Sequence, residues 1–153
     1  MRPLPLVGGC LCGAVRYEVT GQPLMVVACH CRDCQKRTSS AYSMNMPVRV
    51  RDFTITAGTP REIVRQTPSG GQTLHLYCDA CMSRIASRPQ STPAIASVRP
   101  GTLDDTSWLA PTLHIFARSA LQGAVPSGAT AFATDPPDFA PFVAAFAKAW
   151  SEG

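Results

Sequence analysis

Apolar and polar side chains alternate with a period of two over much of the first two thirds of the chain. This period is typical of β-strands with one buried face. The connections are short and rich in Pro, Gly and Thr, which favours an all-β domain of about eight strands over βαβ units. Pro47 should end one strand, because proline cannot donate a ladder hydrogen bond. The predicted strands are 15–19, 24–28, 42–46, 53–56, 63–64, 74–78, 95–98 and 113–117.

The C-terminal segment has a helical period instead. Its apolar residues fall at spacings of three and four, which predicts a helix over 138–151 with one apolar face packed on the β core. Asp138 follows two prolines and is a suitable N-cap. The preceding 120–137 stretch is small, polar and rich in Pro and Gly, so we expect a surface loop or linker. The apolar stripe consists of Phe139, Phe142, Val143, Phe146 and Trp150.

Length and composition narrow the protein class. The chain has 153 residues, of which 45% are hydrophobic and 16% charged. We therefore expect one domain over 1–153, with its core at about 8–119. No apolar run approaches the roughly 18 residues of a membrane span, so no membrane contact is expected. The N-terminal residues lack the long apolar run of a secretory signal, which predicts a cytoplasmic location.

Charge gives little indication of a macromolecular partner. The net charge is +4, and the basic residues are scattered without a run of five or more. We therefore expect no nucleic-acid partner. A mildly basic surface can instead attract a small acidic molecule. The pattern leaves the oligomeric state open, with a homodimer as one option.

Seven cysteines are the strongest chemical signal in the chain. Seven is an odd number, so intramolecular disulfides cannot pair them all, and disulfides are rare in a reducing cytoplasm. Clustered cysteines there are typical of metal sites or catalytic thiols. They fall into a C-x-C pair, a C-x-C-x-x-C triplet and a C-x-x-C pair: Cys10 and Cys12, then Cys29, Cys31 and Cys34, then Cys78 and Cys81.

Ligand counting suggests a division into four and three. The two pairs supply the closed four-sulfur shell of a structural zinc, whereas three thiolates match a catalytic zinc with one open position. His30 lies between Cys29 and Cys31, so in an extended segment it points to the opposite face and should pack or hydrogen-bond elsewhere. Two alternatives stay open: the triplet joins either pair around one zinc, or Cys29 and Cys34 are redox-active thiols.

These motifs resemble the glutathione-dependent formaldehyde-activating (GFA) enzyme family. The resemblance implies an Mss4-like "β-tent" fold of packed antiparallel sheets. It also implies a structural zinc on Cys10, Cys12, Cys78 and Cys81, and a second zinc on Cys29, Cys31 and Cys34. The matching segments are 8–17 (GGCLCGAVRY), 29–36 (CHCRDCQK), 78–81 (CDAC), 101–105 (GTLDD) and 111–116 (PTLHIF).

The family's activity is the addition of glutathione to formaldehyde, which gives S-(hydroxymethyl)glutathione. The resemblance therefore implies a carbon–sulfur lyase whose partners are a small thiol and an aldehyde, with glutathione as co-substrate. The cysteine triplet would be catalytic. The residues expected to bind substrate are Arg32, Lys36, Arg37 and His114.

Two positions depart from the family pattern without removing a ligand. Met82 follows the C-x-x-C pair where the family usually has glycine, and the tryptophan often found near residues 120–123 is absent. The alternative to an enzyme is a non-catalytic module of the same fold that binds zinc or a thiol. Fold alone does not separate these two functions.

Overall fold

The computed structural model describes residues 4–67 and 69–152. Its described part contains ten strands and two α-helices, two strands more than the sequence pattern predicts. The strands are β1 (Leu6–Gly9), β2 (Arg16–Val19), β3 (Val27–Cys29), β4 (Ser43–Arg49), β5 (Phe53–Ala57), β6 (Arg61–Gln66), β7 (Gln72–Tyr77), β8 (Arg84–Pro89), β9 (Ile95–Val98) and β10 (Leu113–Ile115). The helices are α1 (Arg32–Thr38) and α2 (Ala140–Glu152).

The strands form two sheets, which confirms the predicted β-rich fold. The small sheet has the order β1-β2-β5, and the large sheet has the order β10-β3-β4-β9-β8-β7-β6. Every pairing is antiparallel except that of β10 with β3, where Leu113 lies beside Val27 in a parallel register. The sheets are thus antiparallel as expected, apart from this one pair at the edge of the large sheet. A long connection from β9 brings β10 to the far edge in the same direction as β3.

Strand β4 continues through Pro47 to Arg49, so the expected end of the strand at this proline is wrong. On the β3 side, β4 pairs only as far as Asn45. The Pro47 carbonyl accepts a bond from the Leu24 N–H on that side at 2.9 Å. Within a strand, the nitrogen and the carbonyl of one residue point toward the same neighbouring strand. The nitrogen of Pro47, which carries no hydrogen, therefore faces a region beyond the end of β3. The proline consequently costs no ladder hydrogen bond.

The C-terminal helix packs its apolar stripe against the core, as predicted. Phe146 and Trp150 are buried, and the other stripe residues are partly buried against the same cluster. Trp150 meets Trp108 edge-on, with ring centroids 5.4 Å apart. Asp138 accepts a bond from the Ala140 N–H at 2.9 Å, which satisfies one free donor at the helix start. Within the described ranges, neither helix has the length and apolarity needed to cross a membrane.

All three histidines of the chain are buried. His30 and His114 share a hydrogen bond of 2.9 Å between Nε2 and Nδ1, so His30 points away from its cysteine neighbours as expected. His75 is 1% exposed, and neither of its ring nitrogens has a hydrogen-bond partner. Burial, followed by the charges of nearby arginines, lowers the pKa of His75 to about 4.

The neutral state of His75 predicts a loss of stability in acid. The unfolded histidine has a pKa near 6.5, so below that pH the unfolded state binds more protons and the free energy of unfolding falls. One histidine contributes at most about 1.4 kcal/mol per pH unit in this window. We expect His75→Leu, which loses no hydrogen bond, to flatten the decline between pH 6.5 and 4.

Denaturant unfolding at several pH values measures this slope for the wild type and the variant. Zinc content should be determined at each pH, because acid also protonates cysteine ligands and releases metal. Parallel curves for the two proteins with equal metal content would contradict the assignment.

Candidate functional site

The first cysteine cluster joins the small sheet to the large sheet. Cys10 and Cys12 follow β1, whereas Cys78 and Cys81 lie between β7 and β8. The four sulfur atoms all lie within 4.8 Å of one another. The Cys10–Cys12 and Cys12–Cys78 sulfur pairs are 3.5 and 3.6 Å apart.

These distances suit a tetrahedral metal ion. Zinc–sulfur bonds of about 2.3 Å in a tetrahedron place sulfur atoms about 3.8 Å from each other. The arrangement therefore fits a closed zinc shell, with ligands from two chain segments about 70 residues apart. The structure brings together the four residues that the sequence assigned to one site, so the alternative in which the triplet joins one of these pairs is not needed.

Hydrogen-bond donors surround these sulfurs. The Val15 N–H donates to Cys10 Sγ at 3.2 Å, and the Ser83 hydroxyl lies 3.2 Å from Cys81 Sγ. The bond from Ser83 lowers the pKa of the Cys81 thiol to about 5. Ser83 Oγ also accepts a bond from the Leu11 N–H, which ties the two cysteine loops together. The contacts of Val15 with Cys10 Sγ and of Ser83 with Cys81 Sγ favour the thiolate form that a metal requires.

Met82 occupies the turn position where glycine is usual, and its backbone adopts the conformation that glycine favours. Its φ angle is 61°, in the left-handed region, and its N–H donates to the Cys78 carbonyl at 2.9 Å. The turn around Cys78 and Cys81 therefore keeps its geometry in spite of the methionine. The cost is backbone strain, about 1–2 kcal/mol for a residue with a side chain.

The second cluster lies at the junction of β3 and α1. Cys29 ends β3, Cys31 caps α1, and Cys34 lies in the first helical turn. Their sulfurs lie within 4.8 Å of one another, and no fourth His, Cys, Asp or Glu ligand joins them among the described residues. The first turn of α1 brings Cys34 back to the other two sulfurs. This donor set fits a three-thiolate zinc site with one side free.

The electrostatic surroundings favour a thiolate at Cys34. A hydrogen bond with Cys29 lowers the pKa of Cys34 to about 6, with further lowering by Cys31 and by the charges of Arg99 and Arg84. The same bond with Cys34, together with burial, raises the pKa of Cys29. The charges of Arg99 and Arg84 thus help to stabilise a thiolate within the triplet.

An apolar cavity of about 350 Å³ adjoins the triplet. Cys29 and Cys34 contribute to its wall, and Asn45 is the one amide among its lining residues. Phe139, just before α2, covers part of it. The C-terminal segment thus contributes to this cavity as well as to the core. The remaining lining residues are Met25, Val27, Pro47 and Ile115.

The three basic residues predicted to bind substrate lie on two different sides of α1. Arg32 and Lys36 line a shallow cavity with Leu121, and the Arg32 side chain bonds Gln35. Arg37 lies in another cavity, of about 380 Å³, with Arg84 and Arg99. Helical residues four apart share a face and those five apart do not, so the split follows from helix geometry. Their part in substrate binding stays a prediction.

Sequence reasoning missed Arg84 and Arg99. Arg84 Nη2 and Arg99 Nη1 both donate to Ser43 Oγ, at 3.1 and 3.2 Å. Arg99 Nη2 also donates to Ser87 Oγ at 2.9 Å. A signal was present for Arg99, which directly follows the predicted strand 95–98, whereas Arg84 begins a strand that the sequence pattern did not predict. Their convergence is a tertiary feature, because both lie at the open end of the β8–β9 hairpin, where they meet Ser43 of β4.

His114 lies in β10 and is 3% exposed, with its Nδ1 bonded to His30. This contact joins β10 to β3 at the parallel edge of the sheet, and the part of His114 in substrate binding stays a prediction. The acidic pair that follows Leu103 also has structural partners. Asp104 forms a two-bond ion pair with Arg16, and Asp105 accepts bonds from the backbone and side chain of Ser107.

Comparison with known proteins agrees with the motifs and the fold. The family model described as "Glutathione-dependent formaldehyde-activating enzyme" matches residues 5–119 of this chain. Among solved structures, the crystal structure of a Rhodobacter sphaeroides protein superposes with a TM-score of 0.54 at 23% identity. The match covers 67% of this chain and 91% of that protein, and at this identity it supports the fold alone.

The strained backbone at Met82 predicts that glycine at this position stabilises the protein. We expect Met82→Gly to raise the free energy of unfolding by about 0.5–1 kcal/mol, because relief of the left-handed strain exceeds the added entropy of the unfolded chain. At fixed zinc concentration, thermal unfolding should then shift upward by a few degrees. Met82→Ala is the matched control, since it shortens the side chain but keeps the Cβ. Equal melting temperatures for the two variants would refute the strain argument.

Proposed function

The chain belongs to the glutathione-dependent formaldehyde-activating enzyme family, and from this we propose that it is a zinc-dependent enzyme of the carbon–sulfur lyase type. It joins glutathione, or a similar thiol, to formaldehyde or a related aldehyde and gives an S-hydroxymethyl adduct. It does so as a single domain over residues 1–153. The observation that carries the proposal is the division of seven cysteines into a closed group of four and an open group of three.

The two cysteine groups have different roles in this proposal. Cys10, Cys12, Cys78 and Cys81 hold a structural zinc that joins the sheets, since four sulfurs leave no position for a substrate. Cys29, Cys31 and Cys34 hold the second zinc and leave one position free beside the apolar cavity. When bound, this zinc supplies a Lewis acid that lowers the pKa of a coordinated thiol while the thiolate stays nucleophilic.

The reaction itself is an addition that balances without an oxidant or reductant. The thiol loses its proton, and a new sulfur–carbon bond forms at the aldehyde carbon. The electron pair of the carbonyl π bond moves to oxygen, which takes up a proton. The cavity beside the triplet holds the aldehyde near the sulfur, so proximity provides much of the rate gain.

Asn45 is the donor in a position to meet the developing negative oxygen. One Asn45 Nδ2 hydrogen bonds the Ser43 carbonyl at 2.9 Å, and the amide has a second N–H. The side chain is part of the cavity wall next to Cys29 and Cys34. In this proposal it stabilises the alkoxide by a hydrogen bond, in the manner of an oxyanion hole.

Removal of one triplet ligand tests the proposal. We expect Cys31→Ser to contain about one zinc per chain where the wild type contains about two, and to lose the acceleration of adduct formation. Elemental analysis gives the zinc content, and exchange NMR of glutathione with formaldehyde gives the rate with and without protein.

Cys12→Ser is the contrasting variant. It removes a ligand of the zinc that joins the sheets, so its main effect should be a lower melting temperature, larger than that of Cys31→Ser at equal zinc concentration. Normal acceleration by Cys31→Ser would eliminate the catalytic role of the triplet. Two zincs in a wild-type protein that gives no acceleration would favour a non-catalytic zinc- or thiol-binding module.

A further inference from the structure

Two arginine side chains converge on one hydroxyl beside the cysteine triplet. Arg84 and Arg99 donate to the same Ser43 oxygen, from 3.1 and 3.2 Å. Two guanidinium groups so close to one neutral acceptor repel each other. Burial, and then the charge of Arg84, lowers the pKa of Arg99 to about 9, and burial likewise lowers the pKa of Arg84.

Neither arginine has a carboxylate partner within the part of the chain that the structure describes. The ion pairs found there involve Arg16, Arg37, Arg51, Arg61 and Lys148. The 380 Å³ cavity that contains Arg84 and Arg99 also has Arg37 in its wall, and no Asp or Glu is among its lining residues. Two buried guanidinium groups without a carboxylate partner are costly, so this cavity is suited to an anionic ligand.

The arginine cavity is close to the triplet because of strand register. Ser43 is the direct partner of Cys29 in the β3–β4 pair. Side chains of direct partners in an antiparallel pair lie on the same face of the sheet. The hydroxyl that both arginines share is therefore one strand away from Cys29, and the apolar cavity begins at Asn45 on that same face.

A buried histidine extends this polar face. His75 is the direct partner of Ser87, whose hydroxyl accepts a bond from Arg99. Both His75 ring nitrogens lack a partner although the residue is 1% exposed, and Arg99 Nε is also buried without a partner. Unsatisfied polar atoms are uncommon in protein interiors. The unpartnered Nε of Arg99, a residue that lines the arginine cavity, is therefore a second sign that this cavity receives a polar ligand.

We propose that Arg84, Arg99 and Ser43 form a carboxylate-binding subsite for the thiol substrate, with Arg37 at its edge. The inference rests on the proposed function and narrows it to thiols that carry a carboxylate. A planar guanidinium fork matches the two oxygens of a carboxylate. The subsite holds the acid end of the thiol while its sulfur lies at the open side of the triplet. Specificity therefore depends on a charge contact remote from the sulfur.

Matched pairs of small thiols test the subsite on the zinc-loaded protein. Mercaptopropionate is compared with mercaptopropanol, and mercaptohexanoate with mercaptohexanol, by isothermal titration calorimetry. The two lengths cover different spans between sulfur and acid. We expect the acid of at least one pair to bind tenfold or more tightly than its alcohol, with the difference decreasing at high salt. Equal affinities in both pairs, or no binding of any probe, would overturn the proposal.

Substitutions test which side chain causes the preference for the acids over the alcohols. Arg84→Gln removes one charge and should abolish the preference for the acid, whereas Arg84→Lys should retain part of it. Arg51→Gln is the control, since Arg51 is exposed and pairs with Asp52 away from both cavities. Circular dichroism and zinc content establish that each variant is folded. A full preference for the acid in a folded Arg84→Gln protein would contradict the subsite.

The outcome is separable from that of the proposed enzyme activity. Preference for the acids without faster adduct formation would retain the subsite and remove the lyase function. Faster addition of glutathione to formaldehyde, with equal binding of acids and alcohols, would retain the lyase and overturn the subsite. In that case the arginines only neutralise the cysteine thiolates.

Discussion

The contact among four cysteine sulfurs is the constraint on which the arrangement of the two sheets depends. Cys10 and Cys12 extend from the small sheet, and Cys78 and Cys81 from the large one, so one cluster fixes their separation. A zinc ion held by this cluster would add its binding free energy to the stability of the fold. Ser83 and the strained backbone of Met82 serve this contact, since both lie in the turn that presents the second pair.

The second cluster depends on local chain geometry where β3 ends and α1 begins. The chain leaves β3 at Cys29 and enters α1 within three residues, which turns three sulfurs inward. His30 points the opposite way and bonds His114, so the strand that carries the triplet is held to β10. The same segment therefore provides chemistry on one face and a structural bond on the other, because side chains alternate along a strand.

Two cavities of opposite character adjoin this cluster. One is apolar and bounded by Phe139 from the C-terminal segment; the other contains three arginines and no acid among its lining residues. Ser43 and Asn45 connect them, being alternate residues of β4 on the face that carries Cys29. An aldehyde in the apolar cavity and a thiol whose charged end lies in the arginine cavity would meet at the triplet, which is why the arginine pair bears on specificity as well as on charge balance.

Sequence alone determined the metal chemistry, because ligand identity and spacing are local: it gave the division of cysteines into four and three, the family, most strands and the C-terminal helix. It failed where long-range pairing decided the outcome. Strand β4 passes through Pro47 because β3 ends before that position, and β10 pairs in parallel because of the route its chain takes. The three basic residues predicted to bind substrate, Arg32, Lys36 and Arg37, lie on two different sides of α1. Arg84 and Arg99 meet at Ser43 because β8, β9 and β4 are aligned in one sheet, and no spacing along the chain encodes a contact between three strands.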